Sequence, residues 1–337
     1  MRNRRILITG GAGFIGTHLA EHLAGKYELI LLDNFRRNSL QSTNLLEHEG
    51  ISIVEADVLD QSAMFDVTEH VDVVVHLAAI AGVNSYYEES LRTLQVNILG
   101  TVNLLEASAR RGVSQFIDFS TSEVFGPDAM WVTEESPHGI GPVSDRRWVY
   151  AASKLASEHF TLRYGEQYGF SCTCVRPFNI YGPRQTGEGA IGNFLRAALV
   201  GEPLNVYNDG SPIRAWCYVT DIVEAIAAII ARPEAAVGQS FNIGNPREIE
   251  TTLGLARRIA RLVPGTEICH VRMERAEVRA RVPSIEKAQR MLGFEPKIDL
   301  DEGLRRTLEW FSRRTSDENC GHRSGQDGVA ARLPVRG

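Results

Sequence analysis

A short run near the start of the chain, Thr9-Gly10-Gly11-Ala12-Gly13-Phe14-Ile15-Gly16, limits its possible folds more than any other feature. The run follows an apolar, β-branched stretch over residues 5–9 and opens an amphipathic stretch over 14–24. Its glycines therefore fall where a strand must turn sharply into a helix. Gly10 permits the tight turn, Gly13 lets backbone approach a bound group, and Gly16 lets the helix lie close against the strand. The free N–H groups that begin the helix then face the turn, where an anion such as a pyrophosphate suits them.

The same alternation continues to about residue 176. Strands are predicted over 5–9, 28–33, 52–56, 71–77, 115–120 and 171–176, and helices over 14–24, 61–67, 91–111 and 149–168. This is the α/β layout of a Rossmann-type, doubly wound parallel sheet. Beyond Arg176, Pro and Gly break the pattern, and shorter helices are expected near 192–200, 221–231, 252–262, 284–292 and 301–313, a smaller mixed lobe. The expected division is a dinucleotide-binding domain over 1–176, a mainly substrate-binding lobe over 177–315 and a frayed tail over 316–337. At 337 residues and 43% hydrophobic, the chain has enough apolar material for both cores.

Asp33 closes the second predicted strand at the distance from the glycines where a carboxylate can accept the hydroxyls of an adenosine ribose. A carboxylate there repels a 2′-phosphate, so NAD is expected rather than NADP, although Arg36 and Arg37 would favour NADP if they turned inward. Asp57 and Val58 follow the third strand, where an adenine is gripped. Phe14, Ile15, Asn34, Leu77 and Ala79 complete the expected cofactor contacts.

Charge and composition remove other classes of function. A formal net charge of -6 supplies no basic field for nucleic acid or an anionic membrane. No apolar run approaches the roughly 18 residues of a membrane span, and the apolar residues 6–9 are too few for a secretory signal. Five cysteines, Cys172, Cys174, Cys217, Cys269 and Cys320, show no CxxC spacing and an odd count, so neither a metal site nor a disulfide framework is expected and a cytoplasmic setting is. His76 is read as a packed imidazole, His18 and His22 as surface residues, and Cys172 and Cys174 as small core side chains.

Tyr150 and Lys154 stand four apart at the start of a predicted helix and project from one face. A phenol is a poor base at neutral pH, but a neighbouring ammonium and a positive nicotinamide favour its ionised form. Tyr150 can then take the proton of a hydroxyl whose carbon gives up hydride, with Thr121 placed to hydrogen-bond the same hydroxyl.

With the glycine turn, Ser120-Thr121-Ser122-Glu123 and Tyr150-Ala-Ala-Ser-Lys154 together, the chain resembles the extended short-chain dehydrogenase/reductase family of nucleotide-sugar epimerases, dehydratases and decarboxylases over residues 4–312. Hexose dehydratases of that family carry an Asp-Glu pair where this chain has Ser122-Glu123, which disfavours loss of water. The stretches Gly141-Pro142-Val143, Arg147-Trp148-Val149-Tyr150, Arg176-Pro-Phe-Asn179, Gly182-Pro-Arg184, Arg214-Ala-Trp-Cys-Tyr218 and Arg281-Val-Pro-Ser-Ile285 are most similar to UDP-glucuronate decarboxylases. The resemblance implies oxidation at C4 of a UDP-sugar, most readily UDP-glucuronate, and decarboxylation of the resulting β-keto acid to UDP-xylose or a UDP-4-keto-pentose. It implies Glu123 and Arg214 as an acid/base pair, with Ala81, Tyr86, Ser122, Arg147 and Asn179 around the substrate, and a homodimer through a four-helix interface. A substrate with several negative charges also needs local arginines in an acidic protein, and Arg184, Arg214 and Arg281 occupy suitable loop positions. A UDP-hexuronate or UDP-hexose 4-epimerase is the main alternative, ahead of a 4,6-dehydratase. A sensor that kept the fold and lost the chemistry would be expected to lack Tyr150, Lys154 or Thr121, and all three are present.

Overall fold

In the computed structural model, which describes residues 4–274 and 278–323, seven short apolar runs form one parallel sheet. The strands are β1 (Arg5–Thr9), β2 (Glu28–Asp33), β3 (Ile51–Glu55), β4 (Val73–His76), β5 (Gln115–Phe119), β6 (Ser171–Pro177) and β7 (Gln239–Ile243). They lie in the order β7-β6-β5-β4-β1-β2-β3, each paired in parallel with its neighbour. Every residue of β4 and β5 is buried, which suits central strands covered by helices on both faces. The chain order reverses between β1 and β4, and that switch point opens a crevice at the carboxyl ends of the strands.

Six of the seven strands were expected. The seventh, β7, comes from beyond residue 177: the helix Val219–Ala231 returns from the second lobe and lays Gln239–Ile243 beside β6. The two lobes are therefore not divided by one cut in the sequence.

The expected helix over 91–111 is broken. It runs as Ser90–Leu94, a π-helical turn at Gln95–Leu99, and Gly100–Arg111. The turn aims Asn97 at the loop after β4, where its carboxamide accepts the Ile80 N–H at 2.9 Å and donates to the Ser153 hydroxyl at 3.0 Å. At the other end of the chain the last helix extends over Leu300–Arg323, so the expectation of a frayed segment is corrected as far as Arg323. Residues 324–337 of that expectation lie outside the described residues.

The second lobe holds a four-stranded sheet in the order Ile249–Thr251, Ile213–Ala215, Ala280–Pro283, Asp128–Val132. Its last strand belongs to the first half of the chain, in the segment between β5 and the helix Val149–Tyr168. Sequence proximity gave no sign of that pairing.

A buried ion pair ties the helix Val149–Tyr168 to β6: the Arg176 guanidinium holds the Glu158 carboxylate at 2.7 Å, with both side chains under a tenth exposed. Removing one partner leaves an uncompensated charge in the core. Arg176→Met is expected to cost about 3–5 kcal/mol in urea denaturation, and the added change Glu158→Leu should recover much of it.

Candidate active site

The cradle for a dinucleotide is built by the glycine turn. Gly10 has φ +69, and a Cβ there would stand 2.9 Å from the Ala78 nitrogen. At Gly16 a Cβ would come within 2.3 Å of the Gly10 carbonyl, backbone that cannot yield. The helix Phe14–Leu23 has no side-chain cap, so its first N–H groups stay open toward the turn. Asp33 accepts the backbone N–H of Ala12 at 3.0 Å and that of Phe35 at 2.8 Å, which fixes the carboxylate at the edge of the crevice. Burial pushes its carboxyl above the ordinary range and the backbone N–H groups pull it back.

A cleft of about 420 Å³ runs from this turn, lined by Gly10, Gly13, Phe14, Ile15, Gly16, Asp33, Asn34, Asp57, Val58, Leu77, Ala79, Ala81 and Tyr150, all of them expected. Arg36, Arg37, Arg92, Ser85, Gln185 and Thr186 also line it and were not expected as contacts. Arg36 is turned to Glu89 across the mouth, and Arg92 holds Asp57 at 2.5 Å. The residues present thus fit a dinucleotide. Among the described residues, no group of His, Cys, Asp or Glu is placed to hold a metal ion.

At the inner end of the cleft, the Thr121 side chain, expected to face the substrate's hydroxyl, is hydrogen-bonded to the Tyr150 phenol. Lys154 behaves differently. Its ammonium is 3.4 Å from the Asp118 carboxylate, with both side chains buried inside the sheet–helix layer. Burial first, and then Glu123 and Asp118, push the Tyr150 phenol above its ordinary value, and the Thr121 hydrogen bond opposes them. The lysine's charge is paired with that of Asp118. His76 is fully buried between the hydroxyls of Thr9 (2.7 Å) and Thr101 (3.0 Å), and burial, with Lys154 nearby, pushes its imidazole down to about 3. It is a neutral, packed side chain. His22 is exposed, but His18 is partly buried and bonded to the Phe14 carbonyl at 2.9 Å, so its reading as a surface residue is corrected. Cys172 and Cys174 are buried.

Next to the phenol lies a largely buried cluster of aromatic and charged side chains. Tyr86 stacks on Tyr150 with ring centroids 5.1 Å apart and planes 7° from parallel. Arg147 clamps Glu123 with two hydrogen bonds, at 2.5 and 2.9 Å. Burial alone would raise the Glu123 carboxyl, but Arg147, with Arg281 and Arg214 behind it, brings it below its ordinary value. Arg281 is 2% exposed; one of its amino groups binds the Gly126 carbonyl, while the other is buried with no hydrogen-bond partner. Burial, together with Arg214 and Arg147, lowers its guanidinium to about 10. Asn179, at φ 45, donates to the Ala215 carbonyl at 2.9 Å. Ser122 is buried in the 3₁₀ turn Ser122–Phe125, which also carries Glu123. Arg184 is not brought to this cluster: it pairs with Glu21 on the first helix at 2.5 Å.

Asp118 was missed because it sits inside an apolar strand, where alternation predicts core. Glu158 was missed as well, although its spacing from Tyr150 and Lys154 along one helix face is visible in the sequence. Its carboxylate accepts the hydroxyl of Ser120, a cleft residue, and so links the Arg176 pair to the site.

The family model for the NAD dependent epimerase/dehydratase family matches residues 6–244. A UDP-N-acetyl-alpha-D-glucosaminuronate decarboxylase of Bacillus cytotoxicus is 38% identical over 93% of this chain and 99% of its own length. UDP-glucuronic acid decarboxylase 6 of Arabidopsis thaliana is 35% identical over 93% of this chain and 90% of its own. Among solved structures, UDP-glucuronic acid 4-epimerase from Bacillus cereus, in complex with UDP-glucuronic acid and NAD, superposes with a TM-score of 0.85 at 26% identity, covering 92% of this chain and 99% of that one. With the glycine cradle, the Tyr150–Lys154 pair and these similarities agreeing, the chain belongs to the NAD-dependent epimerase/dehydratase family.

Proposed function

We propose that the protein is a UDP-hexuronate decarboxylase, with UDP-glucuronate as its first expected substrate. It oxidises the sugar at C4 and then releases the C5 carboxylate as carbon dioxide. The observation that carries this reading is the buried cluster beside Tyr150, where Arg147 clamps the Glu123 carboxylate, the charges of Arg281 and Arg214 also act on it, and Arg281 keeps a buried amino group without a hydrogen-bond partner. Such an excess of positive charge suits an anionic sugar. The similar decarboxylases support the reading, and the 4-epimerase likeness keeps epimerisation as the alternative outcome.

NAD, held by Gly10, Gly13, Gly16 and Asp33, supplies the hydride acceptor. Tyr150 takes the proton of the C4 hydroxyl as the C4 hydrogen leaves as hydride, and Thr121 orients that hydroxyl. In the β-keto acid that results, the C5–carboxyl bond breaks and its electron pair moves into an enolate at the C4 oxygen. Tyr150, now protonated, and Thr121 donate hydrogen bonds to that oxygen. Arg281 and Arg147 hold the anionic end of the sugar. Glu123 and Arg214 flank C5, where a proton replaces the lost carboxyl.

The homodimer stays part of this proposal. Leu91 and Leu99, in the helical segments Ser90–Leu94 and Gln95–Leu99, and Phe160, in Val149–Tyr168, are large exposed apolar side chains on the faces expected to meet a second copy. We also assign the protein to the cytoplasm, on the unpatterned cysteines of the sequence. Among the described residues, no helix is long and apolar enough to cross a membrane.

Incubation of UDP-glucuronate, and in parallel of its 2-acetamido counterpart, with NAD, followed by mass spectrometry, is expected to show loss of carbon dioxide from one of the two. Loss of water, or an isomer of unchanged mass, would overturn the decarboxylase reading. Tyr150→Phe should lower turnover by about 10²–10⁴, measured by product formation, with NAD still bound. Glu123→Gln should bind NAD as the parent does and lose most turnover, because the neutral amide no longer balances Arg147. Since Arg147 holds the Glu123 carboxyl below its ordinary value, the clamp should persist through neutral pH and fail only as the pH falls through that lowered value, seen as a loss of thermal stability on the acid side that Glu123→Gln does not show.

A further inference from the structure

Along β5, alternate residues face opposite sides of the sheet, and Phe116 and Asp118 share the side covered by the helix Val149–Tyr168. Phe116 packs as the pattern predicts. Asp118 is an acid at a position that should be apolar, fully buried, with His76 opposite it on β4 and Cys174 opposite it on β6. One of its oxygens meets the Lys154 ammonium at 3.4 Å, and the other is buried without a hydrogen-bond partner. A half-satisfied carboxylate at the centre of a sheet costs stability, and an apolar side chain would serve the fold better. What it does contribute is a contact with Lys154, which follows Tyr150 by four residues on the helix Val149–Tyr168.

We propose that Asp118 is a positioning residue for the reaction: it tethers the Lys154 ammonium from inside the sheet and so sets how much of that positive charge reaches the Tyr150 phenol. The proposal rests on the reading of Tyr150 as the proton acceptor. Four other groups surround the pair. Glu158, on the same helix as Lys154, is paired with Arg176, and Glu123, on the turn after β5, is clamped by Arg147. Burial holds the His76 imidazole neutral from β4 and pushes up the Cys174 thiol on β6. None of them is free to replace the charge that Asp118 places behind the lysine, and that charge is one of the influences that raise the phenol.

The test is Asp118→Asn, which keeps the shape and removes the charge, read by the pH dependence of NADH formed in the first turnover with UDP-glucuronate. With the tether's charge gone, Lys154 acts on the phenol undiminished, and the acid limb of the profile should move to lower pH by about one unit, with KM unchanged. A folded, NAD-binding Asp118→Asn whose profile overlays that of the parent would overturn the proposal. Should that variant not fold, Asp118→Ser, smaller and equally neutral, is read in the same way. Tyr150→Phe run in parallel separates the two ideas: if it forms NADH at the parent's rate, the assignment of the base fails, whereas an inactive Tyr150→Phe beside an unshifted Asp118→Asn condemns only the tether.

Discussion

The pairing of Asp128–Val132 with Ala280–Pro283 is the contact on which the site depends. It carries a strand from the first half of the chain into the sheet of the second lobe, with Arg281 opposite Ala129 and Arg214 opposite Arg281. The turn from Thr121 to Gly126 is thereby anchored at both ends, by β5 on one side and by this strand on the other. Gly126 makes the corner possible at φ +79, where its carbonyl also receives the Arg281 guanidinium. Glu123 rides on that turn. Without the inter-lobe pairing its carboxylate would have no reason to stand among three arginines, and the crevice of the parallel sheet would end in solvent.

Placing so many charges out of water has an electrostatic consequence. Each buried ion in this layer has a partner: Lys154 with Asp118, Glu158 with Arg176, Glu123 with Arg147. Arg281 is the exception, with one amino group unsatisfied, and desolvation is the first cause of its lowered guanidinium. An acidic chain has spent part of its stability on a local cationic site, and an anionic ligand relieves that strain on binding. Affinity for substrate and the site's own instability are then two sides of the same arrangement.

The parts of the molecule set by local rules were readable from sequence. Strand positions 28–33 match the structure because buried apolar residues fill them, and helix positions 61–67 because Asp60 caps them, whereas positions 149–168 match although the buried face of that helix is largely polar. The cofactor cleft was equally readable, since its contacts come from consecutive turns at the ends of β1, β2 and β4. What was not readable depends on distant partners. β7 is specified by β6 and by the return of the helix Val219–Ala231, the π turn by what Asn97 reaches, and the place of Arg184 by Glu21. Asp118 was hidden for another reason: a charged residue in an apolar strand reads as noise until its partner is seen.

The raised phenol and the clamped carboxylate together bear on the choice between decarboxylation and epimerisation. An epimerase needs its 4-keto intermediate to turn over while the C5 carboxylate is kept out of the plane in which it can leave. A decarboxylase needs that bond aligned with the carbonyl and the emerging enolate stabilised. In the proposed reaction Tyr150, protonated once it has taken the C4 hydroxyl's proton, is suited to donate to an enolate oxygen. Glu123, kept ionised by Arg147, repels a carboxylate brought against it and favours its departure as neutral carbon dioxide. Both effects act on the bond-breaking step, which is the step an epimerase has to prevent.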